Sequence, residues 1–416
     1  MNQPELLAPA GNLDKLKTAF AFGADAVYCG IPEFSLRVRI NQFDFAKLDE
    51  GIQYAHSLGK RVYVTVNIFA HNKHLLDLED YILELKKIQP DALIISDPGI
   101  LSMVKKIWPN VKIHLSTQAN CTNWQSAKFW HEQGISRIVL GREVTLDEIH
   151  EIHEKVSEVE LECFVHGAMC MSYSGRCLLS KFYNDRSANL GDCTQPCRWK
   201  YDVELREEKR PELPLEIEED QHGSYIMNSK DLCLVDSLEE LKEAGVVSFK
   251  IEGRAKSAYY LGNTVKVYRE IMDNGTLNIT QPIEELKKSQ NRGFTTGFIF
   301  GKDKVEQKTD KCHEECEWEF CGIVTDYLPS LLGSFGKAGG SGTDVRIKVH
   351  NQIFVGDQIE FVVPGGENFE IKIEKMYDED MNEVSEAHGG QGKSIIIPVK
   401  KDLPKYTLLR RKVRNL

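Results

Sequence analysis

No apolar run in this 416-residue chain approaches the roughly 18 residues needed to cross a bilayer. The opening Met1-Asn2-Gln3-Pro4-Glu5 also has no basic region ahead of an apolar core. The expectation is a chain without a membrane span or cleaved leader, located in the cytoplasm. Positive charge is in deficit: 52 Lys and Arg against 63 Asp and Glu give −11, which argues against a protein that coats nucleic acid over its whole surface. The H-E-x-x-H metal motif and the G-x-S-x-G nucleophile elbow are both missing, so the common peptidase signatures find no support. A glycine-rich dinucleotide fingerprint is missing too, since Gly11 stands alone after Pro9-Ala10; a nicotinamide or flavin site is disfavoured.

Hydrophobic residues at 41 % and charged residues at 28 % are ordinary for a folded chain, and the length exceeds what one core usually fills. One large domain and one smaller one are expected. Eight apolar runs alternate with amphipathic stretches up to about residue 260: Leu6–Ala10, Ala26–Gly30, Val62–Ile68, Ala92–Asp97, Ile113–Gln118, Arg137–Leu140, Leu161–His166 and Val246–Ile251. That alternation predicts a TIM-type (β/α)8 barrel over residues 1–275, in which chemistry sits at the C-terminal strand ends. Polar residues occupy those ends: Arg37 and Arg39, Asn67, Asp97, Gln118, Arg142 with Glu143, His166, and Glu252 with Arg254.

Between runs seven and eight a large insertion, about 167–245, takes the place of a simple crossover; insertions of this size are usually functional. Its stretch Arg206–Asp220 holds seven acids and two prolines and reads as solvated. Residues 276–310 read as a linker. From 311 to 416 short β-rich runs predict a small all-β barrel domain, a type that commonly holds RNA or a partner chain.

Eleven cysteines in a reducing compartment point to metal or redox chemistry rather than disulfides. Cys170, Cys177, Cys193 and Cys197 lie in the insertion, and Cys233 follows. Only Cys193 and Cys197 form a close pair, whereas zinc ribbons use two. The wide spacing favours a 4Fe-4S cluster, with zinc and buried thiols as the other readings. Cys312, Cys316 and Cys321, with His313, are a weaker second metal candidate.

The segments Glu162-Cys163-Phe164-Val165-His166-Gly167-Ala168-Met169-Cys170 and Gly175-Arg176-Cys177-Leu178-Leu179-Ser180 resemble the signature of the peptidase U32, or collagenase-like peptidase, family. The resemblance extends to Gly191-Asp192-Cys193-Thr194-Gln195-Pro196-Cys197-Arg198-Trp199, Asn228-Ser229-Lys230-Asp231-Leu232-Cys233, Lys250-Ile251-Glu252-Gly253-Arg254 and Arg292-Gly293-Phe294-Thr295-Thr296-Gly297. Length and layout are most similar to the branch that hydroxylates tRNA uridine. The resemblance implies 5-hydroxyuridine formation at the wobble position, with prephenate as co-substrate and a 4Fe-4S cluster. It implies Cys170, Cys177 and Cys193 as ligands, with Cys233 favoured as the fourth and Cys197 the alternative. His166, Glu252 and Arg254 are the expected catalytic residues. Because prephenate is a dicarboxylate, Arg37, Arg39 and Arg142, together with Arg254, are expected to clamp it. Expected partners are tRNA and a second family member or second copy. A U32-type peptidase and a non-catalytic RNA-binding factor with a structural cluster are the competing classes. The last 25 residues carry eight basic side chains against one acid, and Lys400, Lys401, Lys405, Arg410, Arg411, Lys412 and Arg414 are the expected phosphate contacts.

Overall fold

The computed structural model describes residues 3–36, 42–170, 172–199, 229–275, 280–301, 314–328, 343–390, 393–399 and 401–413, and the backbone of 204–207 and 210–216. The first seven apolar runs are strands: β1 Glu5–Pro9, β2 Ala26–Cys29, β3 Arg61–Val66, β4 Ala92–Ile95, β5 Ile113–Leu115, β6 Arg137–Val139 and β7 Glu160–Ala168. A hairpin, β8 Glu204–Glu207 with β9 Arg210–Glu216, and then β10 Asp231–Cys233 precede the eighth barrel strand, β11 Val246–Ile251. β11 pairs in parallel with both β1 and β7, which closes the barrel. β10 runs antiparallel to β7, with Cys233 opposite His166, and β12 Phe294–Thr295 pairs with β10. Among the described residues no helix is long and apolar enough to cross a membrane.

Local signals explain the crossover helices. Asn12, Asp44, Asp97, Asn123 and Thr145 each accept the N–H three residues on, satisfying a donor the first turn leaves free. Gly23, Gly59, Gly134 and Gly245, each just past the end of a helix, all have positive φ, a region other residues enter at a cost. The outer faces of the strands and the helices share one large apolar core.

The lumen is different. Leu7, Ala26, Tyr28, Tyr63, Ala92 and Ile94 form a small apolar cluster, and a chain of ions fills much of the rest. Half-exposed Arg61 lies 2.7 Å from Glu5, Glu5 2.7 Å from Arg137, Arg137 3.3 Å from Glu162, and Glu162 2.7 Å from Lys250. The last four of these residues are buried, where an unpaired ion would be very costly. Burial alone would raise the Glu162 pKa, but Lys250 and Arg137 outweigh it and hold the carboxyl below its ordinary value.

The C-terminal domain is an antiparallel half-barrel of its own core, in which Leu408–Lys412 lies centrally between Trp318–Leu328 and Gln358–Val362. It docks on the barrel helix Ala258–Asn274. Ile323, Val362 and Leu408 enter the barrel's core cluster, and Tyr259 stacks on Phe320 with ring centroids 5.5 Å apart. Gly262 makes this approach feasible, since a Cβ there would stand 2.6 Å from Leu408 Cδ1.

Two expectations change. Residues 276–310 are more than a linker: Thr280–Lys287 is a helix and β12 joins the barrel sheet. The basic tail is not a row of free phosphate contacts, because Arg410 is fully buried and Arg411 nearly so. Arg410 grips Glu360 through two 2.9 Å hydrogen bonds, and Arg411 bonds Glu319 at 2.7 Å and Asp357. The physical reason is that three acids from distant strands neutralise this stretch inside the domain. Lys400 and Arg414 lie outside the described residues.

Candidate active site at the barrel mouth

The insertion folds over the C-terminal end of the barrel and brings four cysteines to one cavity of about 190 Å³, lined by Cys170, Cys177, Cys193 and Cys197. Each stretch is pinned separately. Glu143, at the end of β6, accepts the Ser174 N–H at 2.7 Å. Gly175, at φ +74, lies so close to Gln118 that a Cβ would stand 2.5 Å from its Cγ, which sets Cys177 over β5. Ser180 accepts the Thr194 N–H at 2.9 Å, and Arg186 pairs with Asp192 at 2.6 Å, fixing Cys193 from both sides. Pro196–Arg198 forms a 3-10 turn that carries Cys197, and the Gln195 N–H points at Cys193 Sγ from 3.3 Å.

The four sulfurs are electrostatic neighbours. Burial raises the Cys197 thiol pKa and the Arg198 charge lowers it, while Cys170, Cys193 and Cys177 raise it further. No three His, Cys, Asp or Glu among the described residues converge on a single point. The thiols border one shared cavity, and thiolates from separate loops are the donor type that iron–sulfur clusters use.

Cys233 is not in this group. It is buried on β10, 3.8 Å from the Tyr268 hydroxyl, and burial pushes its thiol up to about 11. It does not line the cavity, and the charges around it are Asp236 and Asp231. The geometry therefore assembles Cys197, and not the expected Cys233, with the other three. The weaker second set is not assembled either: Cys321 is buried in the C-terminal core, Cys316 points at the Lys288 carbonyl from 3.4 Å, and Cys312 and His313 lie outside the described residues.

Cations line the same cavity. Arg142 stacks over Phe164 at 3.7 Å, and its buried Nε has no hydrogen-bond partner. Arg254 donates to Ser35 Oγ at 2.8 Å and Thr65 Oγ1 at 3.2 Å. Lys250, which carried no role in the sequence reading, reaches the cavity from the lumen chain and lies 4.4 Å from the Tyr28 ring centroid. The signal that could have found Lys250, Glu162 and Arg137 is an ionisable residue inside an otherwise apolar strand. Glu252 also lines the cavity, and Asn67, Ser116 and Gln118 form its amide floor. Arg37 and Arg39 lie outside the described residues.

His166 requires correction as an expected catalytic residue. It is buried among Tyr260, Tyr268 and Phe294, away from the cavity lining, with Tyr268 Oη 3.4 Å from Nδ1. Burial lowers its pKa to about 4. The unfolded chain thus takes up a proton near the ordinary His value of about 6.5, before the folded one does. Its contribution to stability is full above that value and falls as pH drops toward 4. The expected loss at pH 4 is about 3 kcal/mol from this residue. His166→Phe should remove that part of the slope in urea denaturation measured from pH 7 to 4; an unchanged slope would show that His166 is not the titrating group.

The chain is 40 % identical over 99 % of its length, and 97 % of the relative's, to tRNA hydroxylation protein P of Haemophilus influenzae. It is 36 % identical over 65 % of its length to the 23S rRNA 5-hydroxycytidine C2501 synthase of Escherichia coli, covering 39 % of that protein. A protein named collagenase from Porphyromonas gingivalis is 34 % identical, over 73 % of this chain and 75 % of that one. Residues 11–309 match the model of peptidase family U32, and residues 317–410 match that of the peptidase family U32 C-terminal domain. With both domains matched in order, the chain belongs to peptidase family U32.

Proposed function

We propose that this protein hydroxylates uridine in tRNA, at C5 of the wobble nucleotide, with prephenate as co-substrate and a 4Fe-4S cluster held by Cys170, Cys177, Cys193 and Cys197. The observation that carries the reading is that four cysteines and three cationic side chains line one cavity, in a chain resembling a tRNA hydroxylation protein over nearly its whole length. Such a cluster, when bound, supplies one-electron transfer.

The chain's own residues have definable tasks. Arg142, Lys250 and Arg254 line the cavity and suit a dicarboxylate; Arg142 carries an unspent N–H there, and a charged donor is worth more than a neutral one. Asn67, Ser116 and Gln118 orient by hydrogen bonding. The peptidase reading is weaker, because among the described residues no histidine lines this cavity to activate a serine or cysteine nucleophile.

The test is nucleoside mass spectrometry of tRNA from cells lacking the protein and from cells complemented with it. Wild type is expected to restore the hydroxylated uridine. Arg254→Ala should raise the prephenate needed for half-maximal modification by roughly 10- to 100-fold, the loss of one charged hydrogen-bond donor. Unmodified uridine with the intact protein would return the binding-factor reading to the front.

A further inference from the structure

We propose that Phe182, Tyr183 and Trp199 form a base-stacking platform for single-stranded RNA beside the cavity mouth; this rests on the hydroxylase reading and names the surface by which the substrate is held. Of the fourteen large exposed hydrophobic side chains among the described residues, five lie from Tyr173 to Trp199, within the cysteine segment, while the others are scattered. Phe182 is 81 % exposed, Tyr183 47 % and Trp199 39 %. Their rings run in series: Phe182 and Tyr183 centroids are 5.2 Å apart, and Tyr183 and Trp199 6.0 Å. The ridge stands directly on the cavity wall, since Leu179 and Cys197, three residues before Phe182 and two before Trp199, both line it.

Charge identifies the occupant. Residues 170–200 contain Arg176, Lys181, Arg186, Arg198 and Lys200 against Asp185 and Asp192, a local surplus of positive charge in a chain of net charge −11. Lys181 is paired with Asp185 and Arg186 with Asp192, and five bases against two acids leave the segment a net charge of +3. Aromatic rings among cations match bases and phosphates, whereas a membrane or protein partner would not need both in alternation. The buried Arg410 and Arg411 remove the tail's strongest candidates for this work. A base treated inside a cavity must leave its stack, and its neighbours then need other π-faces; rings at the entrance supply them.

The experiment measures anisotropy of a short fluorescein-labelled oligouridylate with the full-length protein. Phe182→Ala and Tyr183→Ala should each weaken binding roughly 5- to 150-fold, the cost of one lost base–ring stack. The salt dependence should stay the same, because no phosphate contact is removed. Phe182→Trp should restore binding, which separates stacking from misfolding. If the alanine variants bind as tightly as wild type while wild type hydroxylates tRNA in cells, the platform is refuted and the function stands. If wild type binds through these rings and alters no nucleoside, the function falls and the platform stands. Failure of wild type to bind the oligouridylate, with the rings required only for capture of another protein, also overturns it.

Discussion

Cys197→Ser is expected to abolish both iron retention and uridine hydroxylation, whereas Cys233→Ser should leave both close to wild type. The difference follows from position. Cys197 borders the same cavity as Cys170, Cys177 and Cys193, and their charges act on its thiol. Cys233 sits behind that wall with the Tyr268 hydroxyl as its neighbour, a partner a serine hydroxyl can also meet. A cubane needs four donors to be fully protein-ligated, so replacing one of the clustered thiols removes a corner. Iron and sulfide analysis with a visible spectrum, on protein purified without oxygen, reads the result directly. Retained iron in Cys197→Ser together with lost iron in Cys233→Ser would require β10 to turn its thiol toward the mouth, and would sink the assignment.

Arg410→Met should cost about 3–5 kcal/mol of stability, the range for stranding a buried carboxylate by removing its partner. Arg410 ties two domains: its two hydrogen bonds go to Glu360, and Nη1 lies 3.1 Å from Asn263 Oδ1, 3.2 Å from Tyr259 Oη and 2.6 Å from Glu285. Without it, Lys288, 3.0 Å from Glu285 and 3.5 Å from Glu360, is left to neutralise both carboxylates. The double variant Arg410→Met with Glu360→Gln should recover part of the loss, because the stranded charge is then gone. A pH signature accompanies this. Burial alone would raise the Glu285 pKa, yet Arg410 and Lys288 hold it below the ordinary 4.5. That contribution is present above 4.5 and lost as pH falls through the depressed value, so the wild type should weaken there and the Met variant less. Urea midpoints for the three proteins at pH 7 and pH 4 decide it; a loss below about 1 kcal/mol at pH 7 would place the pair among weak surface contacts.

The barrel was legible because parallel strands covered on both faces read as unbroken apolar runs, and all eight fall where the runs predict. The cavity was legible as a place, through polar residues at strand ends, but not as a membership list. Spacing cannot tell which side of β10 a thiol faces, so Cys233 was favoured over Cys197 until the antiparallel pairing with β7 turned Cys233 toward Tyr268. His166 reads as a catalytic base by position, and only the rings around it reveal a core residue. Arg410 and Arg411 were misread because a basic run looks the same whether solvated or paired, and their acids lie up to 92 residues away in the chain.

The ion chain through the lumen changes how this barrel can diversify. In most barrels of this type the lower face carries stability and the upper loops carry chemistry, so loops can be exchanged without disturbing the base. Here Arg61, on the lower rim, is joined through Glu5, Arg137 and Glu162 to Lys250 at the mouth. The two faces form one inheritance unit: a relative that exchanges Lys250 for a neutral residue leaves Arg137 as the remaining ion partner of Glu162 and must refit the charges below it. New substrates in this family are therefore reached most readily through the cysteine insertion and the outer loops, while the lumen acts as a keel that resists piecemeal change.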